Sequence, residues 1–533
     1  MDGASIATGT RLGRIVAASG SQVIMAVERA ERGFEQNLGL QLAALIKMQA
    51  ATSTVFGVIT GLSIPLPQQK SGQSELELVE VELIGEVARL EIGATPRFRR
   101  GVSIFPALGE AVYAASQEDL GLVYACPSLA ASRIGTIHQD RSLPAFVMTD
   151  ELLGKHFAVL GNTGTGKSCA VALILQAILS HQQNGHIVLL DMHNEYAHAF
   201  RDKAEIINLS NFDLPYWLYT FEEIEEIVLG RSQERRELSM LLGELILAAK
   251  QRYAAEMQGS PSITVDSPVP YRISDLERLI DSTAGSLEKN RDAGLYLKLK
   301  ARFKSLMSDP RFSFMFPTGV RDNMQKILSQ LFRVPVNGKP VTIVDLSSVP
   351  SEVLNVIVSL LCRMTFDFAL WSNREIPILL VCEEAHRYCS LDQKVGFEPT
   401  KRALARCAKE GRKYGVSLCL VSQRPSELAP EVLSQCNTIF ALRLSNTSDQ
   451  DFLRGQLRDS ALGLLEFLPT LRNMEAIAMG EGVAVPLRLC FDSLPEDHRP
   501  LSGTASFSTA WANDVTNEDF LASVVGRWRR AGR

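Results

Sequence analysis

The chain has 533 residues, 46% hydrophobic and 22% charged, which is enough apolar surface for large cores and too long for one typical domain, so two to four domains are expected. A formal net charge of −5 excludes a diffuse basic surface, and any nucleic-acid contact has to come from a local patch or a channel. Nine scattered cysteines without a C-x-x-C pair exclude a disulfide framework or cysteine zinc site, and the lack of a signal pattern or an apolar run near ~18 residues predicts a soluble, cytoplasmic protein.

Residues 1–145 are expected to be β-rich. Residues 14–18 and 22–27 flank Ser19-Gly20-Ser21, a hairpin signal, and residues 54–59 and 78–83 continue the rhythm of short strands. Regular short strands with glycine turns predict a small barrel. No catalytic cluster lies within it, so a scaffold or assembly module is expected.

From residue 152 strands alternate with helices, the sign of a parallel sheet. A strand over 156–160 leads into Gly161-Asn162-Thr163-Gly164-Thr165-Gly166-Lys167-Ser168, which fits the phosphate-binding pattern G-x-x-x-x-G-K-[ST], and an apolar helix over 169–179 follows. Glycines and small polar residues let the backbone N–H groups and the helix N-terminus face nucleotide phosphates. Lys167 is expected to reach the β- and γ-phosphates and Ser168 to ligate Mg²⁺, so the chain is expected to bind ATP.

A strand over 187–190 then delivers Asp191-Met192-His193-Asn194-Glu195-Tyr196 past its carboxyl end, where open α/β sheets place their sites. His193 and Glu195 suggest a metal but lack further ligands, and a supporting or DNA-coupling role is preferred. Residues 220–330 read as a helical insertion whose charge runs are solvated faces.

The sheet resumes at 341–346 and again at 378–382, where an apolar strand delivers Glu383 and Glu384. Two adjacent carboxylates suit an ATPase: Glu383 on the Mg²⁺ side, partly through water, and Glu384 as the base that orients the attacking water. In the next helical stretch Arg402, Arg406, Lys409 and Lys413 recur on one face. A solvated face, DNA phosphate contacts and a neighbouring subunit's nucleotide all remain open for it. Gly411 is expected to end that helix, leaving Arg412 on a turn before a strand over 416–422. The strand ends in Gln423, placed to sense the γ-phosphate or hold the attacking water. Residues 474–479 and 483–489 are expected to pair around Gly480-Glu481-Gly482. A final helix follows, with Thr516 and Asp519 as a capping box and Phe520, Leu521, Val524, Val525 and Trp528 on an apolar side that needs another surface, such as an adjacent subunit.

The segments GNTGTGKS (161–168), LLVCEEAHRY (379–388), EGRKYGV (410–416) and SQRPS (422–426), behind a β-rich N-terminus, together resemble the HerA family of hexameric DNA translocases, relatives of FtsK and of conjugative coupling ATPases. The resemblance spans essentially the whole chain. It implies an α/β fold: a RecA-like P-loop ATPase core (146–219 and 331–491) with a helical insertion (220–330), preceded by a small N-terminal β-barrel (1–145) and followed by a C-terminal brace (492–533). It further implies a homohexamer that uses ATP and Mg²⁺ to translocate double-stranded DNA, with Arg412 as an arginine finger reaching a neighbour's γ-phosphate. Lys155 matches a position where some members carry a second trans-acting arginine, but a lysine is a point charge and not a planar fork. Glu383 departs from the aspartate usual in motor ATPases. The implied partner is a NurA-like nuclease, or a sirtuin-like or other effector, in DNA end processing or anti-phage defence. The alternative is an ATP-regulated ring scaffold that licenses such an effector with little movement on DNA.

Overall fold

The computed structural model describes residues 9–27, 40–64, 77–88, 96–126, 130–230, 234–257, 262–286, 292–317, 319–391, 397–456, 462–501, 507–512 and 518–531. The first seven strands are β1 (Arg11–Ser19), β2 (Gln22–Val27), β3 (Leu45–Gln49), β4 (Ser53–Ser63), β5 (Leu78–Ala88), β6 (Phe98–Arg100) and β7 (Ala111–Ala114). They run in the order β2-β1-β7-β3-β4-β5, and β5 pairs back onto β2, closing a six-stranded antiparallel barrel with β6 added at the far end of β5. Closure removes the sheet edges. The expected hairpin is present, with Gly20 at φ +56° where a side chain would be strained. Alternating Leu12, Ile15, Val23, Met25, Met48, Val55 and Val81 fill the interior. Lys47, 2% exposed, is held by Asp119 at 2.7 Å, and Asp119 also completes a capping box with Ser116 on α1 (Gln117–Val123).

Beyond the barrel the strands are β8 (Ala131–Ile137), β9 (Pro144–Met148), β10 (Phe157–Leu160), β11 (Ile187–Asp191), β12 (Ala204–Ile207), β13 (Val341–Asp345), β14 (Ile378–Cys382), β15 (Val416–Ser422), β16 (Thr438–Ala441), β17 (Glu475–Gly480) and β18 (Leu487–Phe491). The helices after α1 are α2 (Thr149–Gly154), α3 (Lys167–His181), α4 (Ala197–Phe200), α5 (Phe221–Leu229), α6 (Arg235–Glu256), α7 (Ile273–Ser286), α8 (Asp292–Ser308), α9 (Met324–Phe332), α10 (Ser351–Trp371), α11 (Glu398–Glu410), α12 (Pro430–Leu433), α13 (Thr447–Gln456), α14 (Phe507–Trp511) and α15 (Glu518–Ala531). The fold is α/β: a closed N-terminal barrel precedes in sequence a set of parallel strands interleaved with helices, with the helices α5 to α8 inserted between β12 and β13. By backbone contacts the chain divides into two compact units, residues 1–182 with 419–495, and residues 183–418 with 496–533.

In the first unit β10 lies between β15 and β16, parallel to both, and β17, β18, β8 and β9 continue antiparallel. All four residues of β10 are buried, as a strand covered on both faces requires. The β17–β18 pairing corrects the expected hairpin: β18 begins at Leu487, so residues 481–486 are loop. Pro486, which has no N–H to donate, stands at that boundary.

In the second unit β12, β13, β11 and β14 form a parallel sheet in that order. The helices α5 to α8 lie within residues 220–330, and α9 begins there. An ion pair with a buried carboxylate anchors α5: Glu223 accepts from Ser359 Oγ at 2.7 Å and from the half-buried Arg363 Nε at 3.2 Å, both on α10, while Arg363 Nη2 donates to the Leu218 carbonyl at 2.5 Å. Removing Glu223 leaves Ser359 Oγ without its acceptor and Arg363 with only Asp367 Oδ2 at 3.2 Å and the Leu218 carbonyl, so Glu223→Ala is expected to cost about 2–3 kcal/mol. The exposed Glu222, which pairs with Arg402, is worth about 1 kcal/mol or less. Urea unfolding of the two variants checks this, and equal losses would contradict it.

One expectation is corrected here. Residues 353–371 of α10 have a mean hydropathy of 1.7 and are, among the described residues, long and apolar enough to cross a membrane by length and composition. The sequence hides the run because Arg363 and Asp367 interrupt it. Within the unit 72% of that stretch is buried, with Phe366 and Ala369 packed on Cys407 of α11.

Candidate nucleotide site

In the first unit the phosphate loop leaves β10 between its two parallel neighbours and is tied to both. Gly161 N donates to the Ser422 carbonyl at 3.2 Å, just past β15's core, and Asn162 N to the Arg443 carbonyl at 2.9 Å, past β16. Gly164 and Gly166 take φ of +75° and +100°, and Gly166 caps α3, so these two of the motif's three glycines stand where L side chains are strained. The loop is braced from within: Thr165 Oγ1 and Lys167 Nζ both donate to the Asn162 carbonyl, at 2.7 and 2.9 Å. Lys167 is 6% exposed, while Thr163 and Gly164 lie open to solvent. Ser168 sits in the first turn of α3, where a hydroxyl beside a helix N-terminus suits an anion with its counter-cation. Gln423 joins the loop, its Oε1 accepting from Thr163 Oγ1.

In the second unit β14 ends in Glu383 and Glu384, which are 3% and 5% exposed. Glu383 Oε1 accepts from Tyr196 Oη at 3.2 Å, while Oε2 has no hydrogen-bond partner among the described residues. Burial, then the carboxylates of Asp191, Glu195 and Glu384, push the Glu383 carboxyl well above the usual range, and the Tyr196 hydroxyl offsets this in part. Glu384 has φ +49°, a strained setting for a side-chain-bearing residue, with its Oε2 3.3 Å from His386 Nδ1. Such strain persists where surrounding structure enforces it, and active sites are where it collects.

The segment after β11 reads differently from its residues alone. Asp191, fully buried, accepts from His193 N and Glu195 N at 3.2 Å and from Tyr196 N at 3.0 Å, so it folds the segment into a tight turn. Burial raises its carboxyl's pKa, and those three N–H groups counter the rise. The turn delivers Tyr196 to Glu383. No group of three or more His, Cys, Asp or Glu side chains among the described residues is arranged to hold a metal by itself. The sequence places Asp191 and Tyr196 past the strand but assigns them no role; the signal for one is a strand-terminal Asp followed five residues on by a tyrosine.

On α11 the basic face is partly neutralised within its own unit. Arg402 pairs with Glu222, and Arg406 lies 3.7 Å from Asp367 and 4.1 Å over the Phe366 ring. Lys409 and Lys413 are exposed. Arg412 lies, as expected, on an exposed 3-10 turn, Gly411–Tyr414, after the helix. Lys155, in the first unit, is bound to Glu481, whose other oxygen accepts from Asn437 Nδ2 at 3.2 Å.

Comparison with known proteins covers the phosphate loop, and the family match stops short of Glu383, Glu384, Arg412 and Gln423. The family profile of the helicase HerA central domain matches residues 132–365. The chain is 24% identical over 467 residues to a DNA double-strand break repair helicase HerA of Pyrococcus furiosus, covering 80% of this chain and 78% of that one. It is 27% identical over 432 residues to a protein of the same description from Sulfolobus acidocaldarius, covering 79% and 80%. Among solved structures, VirB4 of Thermoanaerobacter pseudethanolicus superposes with a TM-score of 0.49 at 16% identity, over 70% of this chain and 98% of that one.

Proposed function

We propose that this chain, an ATPase, is a hexameric motor of the HerA type that hydrolyses ATP to move double-stranded DNA, serving a partner nuclease or other effector. The observation that carries the chemistry is the braced phosphate loop with Gln423 in contact; the second unit separately offers two buried carboxylates just past an apolar strand. The DNA substrate is supported by the helicase relatives, whose descriptions name DNA double-strand break repair.

Within this reading Gly161, Asn162, Thr163, Gly164, Thr165 and Gly166 cradle the phosphates through backbone N–H groups, and Lys167 neutralises the β- and γ-phosphates. Ser168 and Glu383 fit Mg²⁺: both offer hard oxygen donors, and the buried Glu383 Oε2 has no hydrogen-bond partner among the described residues. When bound, the ion supplies charge neutralisation of the phosphates. Glu384 accepts the proton of the attacking water, Gln423 holds that water or reads the γ-phosphate, and Arg412 reaches the site of the next subunit. Residues 146–219 and 331–491 then make the motor, 1–145 the assembly barrel, 220–330 the insertion and 492–533 the brace, and the protein works in the cytoplasm.

The brace follows from exposed apolar side chains on α15, where Phe520, Leu521, Val525 and Trp528 are 48%, 64%, 40% and 76% exposed. The Thr516 of the expected capping box lies outside the described residues. Deleting residues 512–533 is expected to loosen the ring, and an unchanged hexamer by light scattering would count against the brace.

Translocation is tested by ATP-dependent displacement of a triplex-forming strand from linear duplex DNA. Displacement that fails with Lys167→Ala supports the motor. A protein that hydrolyses ATP without displacing the strand contradicts it and favours the scaffold.

A further inference from the structure

Met474, just before β17, has φ +63°, a conformation that costs a side-chain-bearing residue of order 1–3 kcal/mol. Three contacts enforce it, and two of them go to the phosphate loop. Its N–H donates to the Thr165 carbonyl at 3.0 Å, and its own carbonyl accepts from Phe491 N at 2.9 Å. Its thioether lies on Gly166, so that a Cβ there would strike Sδ and come within 3.3 Å of Cγ. A second link supports the same segment: Arg443, whose carbonyl holds Asn162 N at 2.9 Å, reaches with Nη2 to Asn473 Oδ1 at 3.0 Å. Residues 473 and 474 are therefore fastened near both ends of the loop.

The consequence lies in peptide geometry. In a trans peptide the C=O and N–H point in opposite directions. Holding the Thr165 carbonyl on Met474 fixes the plane of the 165–166 peptide and turns the Gly166 N–H away from Met474. That N–H belongs to the row of donors that a phosphate oxygen meets at a helix N-terminus. The thioether, soft and unbranched, fills the irregular space over Gly166 and keeps the plane from rolling back.

We infer that Met474 is a positioning residue for ATP: through the Thr165 carbonyl and the Gly166 surface it holds the loop with its N–H groups set for the phosphates. This rests on the phosphate-loop reading of residues 161–168. Nothing in the local sequence around Met474 signals it, because its partners lie some three hundred residues away in the chain.

The test measures kcat and KM for ATP, and the thermal midpoint, for the full chain and for Met474→Ala, Met474→Leu and Met474→Gly, with Lys167→Ala alongside. Met474→Ala is expected to raise KM about tenfold, the equivalent of one weakened phosphate contact, with little change in kcat. Met474→Leu, which keeps the bulk over Gly166, is expected to restore most of the affinity. Met474→Gly is the discriminating variant: glycine accepts φ +63° without strain, so the midpoint holds or rises while KM still increases. A purely structural role would instead make KM follow the midpoint. Unchanged KM in the alanine and glycine variants would overturn the inference. Hydrolysis surviving in Lys167→Ala would overturn the phosphate-loop reading beneath it.

Discussion

Glu384→Gln is expected to lower the turnover of ATP by roughly 10²–10⁴-fold while leaving ATP binding intact. The replacement keeps the side chain's size and its left-handed backbone, φ +49°, but takes away the oxygen that accepts a proton from water. Glu384 is buried just past an apolar strand, and the neighbouring carboxyl of Glu383 is pushed well above the usual range by burial and by the carboxylates around it, which leaves Glu384 as the base on that segment. The prediction is read from single-turnover hydrolysis beside equilibrium binding of ATP. Turnover within tenfold of wild type would remove Glu384 from the role of base. Loss of binding together with turnover would instead mark the side chain as a structural support for its strained turn.

Arg412→Ala is expected to cost on the order of 10³-fold or more in turnover, the scale of an arginine finger supplied by a neighbour. The turn that carries it is well placed for presentation outward. Gly411 lies close against Val416, Gly415 takes φ +88° beside Pro377, and Arg412 projects into solvent between them. Mixed rings give the decisive form of the experiment. A ring of Lys167→Ala subunits has intact fingers and dead sites, and a ring of Arg412→Ala subunits has intact sites without fingers. Mixing the two recovers activity if the arginine acts across the subunit interface. If both pure rings are inactive and the mixture stays inactive, the trans role is wrong.

Much of the site was legible because its chemistry is local. A glycine-rich loop between an apolar strand and an apolar helix carries its own context, and the structure places Gly164 and Gly166 at positive φ as that loop requires. The barrel was legible for a similar reason, since period-two burial and glycine turns repeat within a few residues. What escaped were contacts between distant parts of the chain. Tyr196 meets Glu383 across 187 residues of sequence, and Met474 meets Gly166 across a still longer span. Neither leaves a periodic or compositional trace. The face of α11 was visible as a basic stripe, but its pairing with Glu222 and Asp367 depends on how α5 and α10 pack in the folded unit. The β17–β18 loop was placed too short because Val483 and Val485 are buried, as strand residues would be, although they lie in the connection.

Steady-state ATP hydrolysis of the purified protein, with and without linear duplex DNA, tests the motor most directly. The account predicts that duplex DNA stimulates hydrolysis by the wild-type ring and that Lys167→Ala, Glu384→Gln and Arg412→Ala remain inactive in its presence. Hydrolysis that is robust yet indifferent to duplex DNA would contradict it and point to a ring that uses ATP to license a partner.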